Sequence, residues 1–164
     1  MRIISEDSFL KLGLREALKI HENGLKGITI SISADLKIIR FYRNISINYN
    51  DIFFIRNCLD GFILSYQLSH GMTTLHLNLY RLIVERKTMY LTPREIDVMR
   101  ALLKGDNILN ISRSRGLSPK TISAQKNSAL KKLKVSNLSM LHRDMSIFKT
   151  LLYKRGYNHA NIDF

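Results

Sequence analysis

The chain contains two prolines, and each directly follows a hydroxyl side chain: Thr92-Pro93 and Ser118-Pro119. A helix accommodates proline only in its first turn, where the missing N–H would have no partner in any case. A Thr or Ser just before it supplies the oxygen that caps the next free N–H groups. The two dipeptides therefore predict two helix starts and constrain everything between them. Glu95 falls at the third helical position and completes a Thr-x-x-Glu capping box. Ile96, Met99, Leu102 and Leu103 follow at helical spacing, and Gly105 ends the run as a left-handed residue would. Asp106 or Asn107 can cap a second, shorter helix with Ile108 and Ile111 on its apolar edge, and Gly116 stops it. Only a tight turn fits before Ser118.

The helix opened by Ser118 has two unlike sides. Ile122, Ala129, Leu130 and Leu133 form an apolar arc. Lys120, Ala124, Asn127 and Lys131 lie opposite, flanked by Ser123, Ser128 and Lys134; Lys126 falls inside the apolar arc. A fourth helix is expected over residues 137–153. It carries one stripe at Leu138, Leu141, Met145, Phe148 and Leu152, and a second at Met140, Ile147 and Leu151. One stripe can close the domain's own core and leave the other for a partner; the alternative buries both within the chain.

Charge points the same way. The chain carries a formal net charge of +13. Residues 91–164 hold 14 Lys/Arg against 5 Asp/Glu, and no acidic residue interrupts the stretch from Arg113 to Lys134. A solvated helix face normally mixes signs, so a one-sign block on a periodic helix implies a polyanionic partner. Two helices joined by a tight glycine-containing turn, the second strongly basic, read as a helix-turn-helix. Small side chains would let that helix approach base edges closely. Asn can pair with adenine and Lys with guanine, and Ala can touch a thymine methyl. Flanking lysines would neutralise phosphates and hold the register.

Residues 91–142 resemble the DNA-binding domain of the LuxR/FixJ class of bacterial regulators. The match runs through Leu91-Thr92-x-Arg94-Glu95, Val98, Gly105, Ile111, Ser118-x-Lys120-Thr121-Ile122 and Lys132-Leu133-x-Val135. Within the class, SPKTISAQKNSALKKLKV is most similar to the capsule-synthesis response regulator of the Rcs phosphorelay. The resemblance implies that Lys120, Thr121, Ser123, Ala124, Lys126 and Asn127 lie at or near DNA. With the flanking cations Arg113, Lys131 and Lys132, these form the expected DNA-binding set. It also implies dimerisation through the fourth helix, with Leu138, Leu141, Met145 and Phe148 as the expected contacts. The partner would be a second copy or a related LuxR-class regulator. Three positions depart from the class: Gln125 where His is common, Arg115 where an apolar residue is expected, and Ser112 in place of Ala.

The N-terminal part reads as mixed α/β. MRIIS, GITISIS, DIFFI, FILSYQL and TTLHLNLY are expected strands, residues 8–22 an amphipathic helix, and residues 35–44 fit either. MRIISEDSFLKLGLREAL resembles the start of a phosphoacceptor receiver, with Glu6-Asp7 at its metal-binding acidic pair; the plainer reading is two solvated carboxylates near a helix start. DIFFIR resembles the strand that ends in the phosphorylated aspartate, a position held here by Arg56. A guanidinium cannot accept a phosphoryl group, and residues 57–90 are too few for the rest of a receiver. The expected fold class is thus a truncated receiver-like α/β domain (1–88), an all-α four-helix LuxR-type domain (89–155) and a short tail (156–164).

Other functions find little support. The five histidines are scattered, no Cys/His spacing suggests a metal, and no glycine-rich phosphate loop is present. No enzyme activity, cofactor, metal or small-molecule ligand is expected. The single cysteine, Cys58, beside an apolar run, reads as a buried hydrophobe, and with no internal disulfide the chain fits a reducing compartment. The N-terminus turns acidic too soon for a signal peptide, and no apolar run approaches a membrane span. The expected location is the cytoplasm, in association with the nucleoid.

Overall fold

The computed structural model describes residues 1–33, 35–43, 45, 51–84 and 91–159. The boundary expected at residues 88–89 and the last residues of the tail lie outside these. Four strands, β1 (Arg2–Ile4), β2 (Ile28–Ile32), β3 (Ile38–Arg43) and β4 (Phe62–Gln67), form one sheet in the order β1-β2-β3-β4. The first pair is parallel and the other two are antiparallel. The helices are α1 (Ser8–Ala17), α2 (Asp51–Gly61), α3 (Met72–Ile83), α4 (Pro93–Leu103), α5 (Ile108–Arg115), α6 (Pro119–Leu133) and α7 (Leu138–His159).

Alternation along the strands gives the sheet two different faces. One carries Ile3, Ile28, Ile30, Ile32, Ile39 and Phe41 and is covered by Leu14 and Leu18 of the α1 segment and Leu75 and Leu79 of α3. The other face carries Thr29, Ser31, Arg40 and Ser65, all buried, together with Tyr42 and Phe62. The C-terminal helices cover this second face. Tyr42 and Phe62 share one core with Phe54, Ile55, Cys58 and Leu59 of α2, Leu130 and Leu133 of α6, and Leu141, Met145, Phe148 and Leu152 of α7. Tyr42 stacks on Phe148 with ring centroids 5.4 Å apart. The two halves of the sequence are thus layers of one packed body. Cys58 sits in that core, and burial pushes its thiol up from the ordinary value.

Several expectations are met. β1, β2 and β4 fall on MRIIS, GITISIS and FILSYQL, α1 begins at Ser8, and residues 38–43 resolve as a strand. Two are corrected. DIFFI lies in α2, because Phe54, Ile55, Cys58 and Leu59 continue its apolar pattern at helical spacing and bury one face. TTLHLNLY lies in α3, which buries Leu75 and Leu79 and leaves Leu77 exposed, whereas a strand would bury all three alike.

The sheet also departs from the receiver pattern, whose strands are parallel and doubly wound in the order 2-1-3-4-5. Arg56 is exposed on a helix, away from any strand end. Asp7 is the N-cap of α1, its Oδ1 accepting the Leu10 N–H at 2.8 Å. α2 runs straight into β4 through Gly61, where a Cβ would collide with the Arg43 carbonyl. At the other end of the chain, α7 extends through His159, past the expected end at Tyr153.

Candidate nucleic-acid interface

The helix starts read from the two prolines are present. Thr92 Oγ1 accepts the Glu95 N–H at 3.2 Å, and Glu95 Oε2 accepts the Thr92 N–H at 2.6 Å, closing the capping box of α4. Ser118 Oγ accepts the Thr121 N–H at 3.1 Å and lies 2.8 Å from the Thr121 hydroxyl. Asn107, the second of the two candidates, caps α5 through the Asn110 N–H at 2.8 Å. Gly116 ends α5 in the left-handed region (φ 61°), and Gly105 follows α4 at φ 99°. Gly116, Leu117 and Ser118 are the whole turn between α5 and α6, so the two helices form a helix-turn-helix.

α6 buries the expected arc of Ile122, Ala129, Leu130 and Leu133. This leaves Lys120, Thr121, Ala124, Asn127 and Lys131 exposed, with Ser123 half-buried beside them. Arg113, on α5, is exposed as well. Lys126 is half-buried, as expected of a lysine at the edge of the apolar arc whose stem can pack while its head reaches water. Arg115 is exposed at the end of α5. It lines a cleft with Arg56 of α2, Asp97 and Arg100 of α4, and Lys104 and Asp106 just beyond that helix. Within it Arg100 pairs with Asp60 and Asp97. Ser112, where the class has Ala, is buried and donates its hydroxyl to the Leu109 carbonyl at 2.8 Å.

Lys132 stands apart from the other cations of the expected set. Its ammonium is 2.7 Å from Glu95 Oε2, and Ser128 Oγ donates to Glu95 Oε1 at 2.6 Å. Burial opposes ionisation of Glu95. The hydrogen bonds from Lys132, Ser128 and the Thr92 N–H outweigh it and hold the carboxyl below its ordinary value. Lys132 and Glu95 thus tie α6 to α4.

On α7 the first stripe is turned inward: Leu141, Met145, Phe148 and Leu152 are buried in the shared core, and Leu138 packs against it half-buried. The face expected to pair with a partner is occupied by the chain's own sheet and α2. Met140, Ile147 and Leu151, the second stripe, remain half-buried.

Sequence reading missed the contacts that hold α6 from behind. Arg40 of β3, 1% exposed, donates its Nε–H to the Leu133 carbonyl at 2.8 Å and pairs with Asp144 Oδ2 of α7 at 2.9 Å. Ser65 of β4 donates to the Lys132 carbonyl at 2.5 Å. The available signals were an arginine, Arg40, inside the apolar run IIRFY and a lone carboxylate, Asp144, inside the first stripe of α7.

Residues 89–144 match the family model described as bacterial regulatory proteins, luxR family. This segment is similar to a LuxR-type helix-turn-helix domain. The match spans α4, α5, α6 and the start of α7, roughly a third of the chain. No curated protein and no solved structure matches the chain significantly. The luxR-family match supports DNA-binding regulation of transcription. Among the described residues, no helix is long and apolar enough to cross a membrane.

Proposed function

We propose that the chain is a sequence-specific transcription regulator that binds DNA as a dimer, with α6 in the major groove and without a phosphorylation step. The observation that carries this reading is the sidedness of α6. Its basic and small side chains face solvent, with Lys120 and Thr121 in its first turn, while its apolar arc is buried. A recognition helix reads bases with its N-terminal residues. Lys120, Thr121, Ser123, Ala124, Lys126 and Asn127 then face the groove, and Arg113 and Lys131 contact phosphates. Two features support independence from phosphorylation: a mixed sheet in the order β1-β2-β3-β4, unlike the parallel sheet of a receiver, and the use of Asp7 as a helix cap.

For pairing, the second stripe is the α7 face that remains partly available: Met140 and Leu151 pack half-buried against the chain's own core, and Ile147 is half-buried as well. That stripe also supports a second reading, in which the chain pairs with a related LuxR-class regulator and redirects it. Selection from a random duplex pool, with the chain alone and mixed with such a regulator, tests both. Enrichment of a two-fold sequence by the chain alone supports the homodimer, and enrichment only in the mixture supports the heterodimer. No enrichment in either arm rejects sequence-specific binding.

A further inference from the structure

Resting on the DNA-reading role above, we propose that the N-terminal sheet positions the recognition helix, with Arg40 and Ser65 as the positioning residues. The last four carbonyls of any helix lack partners within it. In α6 these belong to Leu130, Lys131, Lys132 and Leu133. The chain's own turn satisfies the first two: Val135 N–H donates to Leu130 at 3.1 Å and Lys134 N–H to Lys131 at 3.2 Å. The sheet satisfies the other two, through Ser65 to Lys132 and Arg40 to Leu133. Arg40 and Ser65 face each other in the β3–β4 register, so one cross-strand pair takes both bonds.

The Arg40 guanidinium is a rigid planar fork. Its second contact, to Asp144, fixes α7 relative to the same point. Strand, recognition helix and following helix therefore meet at one buried charge. A cation at a helix C-terminus also opposes the negative end of the helix dipole.

The geometry makes this mount consequential. α6 has 15 residues and is roughly 22 Å long at 1.5 Å per residue. A tilt of about 3° at its mounted end moves its first turn by about 1 Å, enough to break a hydrogen bond to a base edge. Contacts to phosphates by flexible lysines tolerate such a shift. Loss of the mount should therefore reduce discrimination between sequences more than affinity for DNA as such.

The experiment uses the full-length chain and a duplex selected by the wild type. Ser65→Ala removes one bond without stranding a charge. Arg40→Met with Asp144→Leu replaces the buried ion pair by apolar groups, a change that commonly preserves stability. The expected result is a melting temperature close to wild type and a fall of roughly tenfold in the ratio of specific to non-specific affinity, the size of one base contact. The salt dependence of non-specific binding stays unchanged, and Ser65→Thr, which keeps the hydroxyl, restores the ratio. Two outcomes overturn the positioning role: an unchanged ratio in folded variants, or an equal fall in both affinities. A wild type that selects no sequence overturns the DNA-reading role, and this proposal with it.

Discussion

Glu95 is a buried carboxylate kept ionised by three donors, from Lys132, Ser128 and the backbone of Thr92. Replacing it with Gln should cost about 1.5–3 kcal/mol at neutral pH, the range for a hydrogen bond to a charged group, as measured by urea unfolding. The sign of the pH dependence follows from its depressed carboxyl. The unfolded chain takes up the proton first, so the contribution is present at neutral pH and fades as pH falls below the ordinary value of 4.5. The stability gap between wild type and Glu95→Gln should close over that range; a gap that persists at low pH would contradict it. Lys134 ends α6 at φ 55°, a left-handed conformation that suits glycine. Lys134→Gly should stabilise the fold by about 0.5–1 kcal/mol, read as a higher unfolding midpoint. At this scale the sequence was informative wherever a residue has a fixed local task. Thr92, Glu95, Gly105, Gly116 and Ser118 could all be placed because caps and left-handed stops are set by neighbours a few positions away. Arg40 could not, because both of its partners are remote in the chain.

The same contrast holds for whole elements. α4 and α5 were legible because punctuation marked both ends of each, and α6 because Ser118-Pro119 marked its start. α2 and α3 were misread as strands. In α2 the run DIFFI hides its period until Cys58 and Leu59 are included. In α3 the alternation Leu75, Leu77, Leu79 mimics a strand, although only the first and last are buried. α7 carries two stripes, and the first, expected from the resemblance to be the pairing surface, lies in the chain's own core. The structure makes opposite predictions for them. Leu141→Asp should unfold the protein, since that side chain lies in the shared core. Ile147→Asp should leave it folded by circular dichroism but monomeric by sedimentation; a persistent dimer would move the pairing surface elsewhere. For α6, Lys131→Ala should weaken binding to all duplexes alike, as loss of a phosphate contact does, and lower the salt slope by about 1. Asn127→Ala should instead cost about 1–3 kcal/mol on the preferred sequence alone. Titrations at several salt concentrations separate the two.

For the molecule as a whole, the shared core matters more than the boundary expected near residue 88. Residues from both halves fill one apolar cluster around Tyr42 and Phe148, and the buried ion pair spans them as well. Calorimetry should therefore show a single transition whose calorimetric and van't Hoff enthalpies agree; two resolved transitions would mean that the halves melt separately. This unity was hidden from the sequence. Thr29, Ser31 and Ser65 look like the solvated side of a sheet, and nothing local says that another layer lies upon them. The attachment of α6 has an evolutionary corollary. Ser65 and Arg40 both grip main-chain oxygens, which every residue carries whatever its side chain. The side chains of α6 can therefore be exchanged without disturbing the grip. Such a lineage can acquire new target sequences by substitution on one helix face while the machinery that holds the helix stays the same.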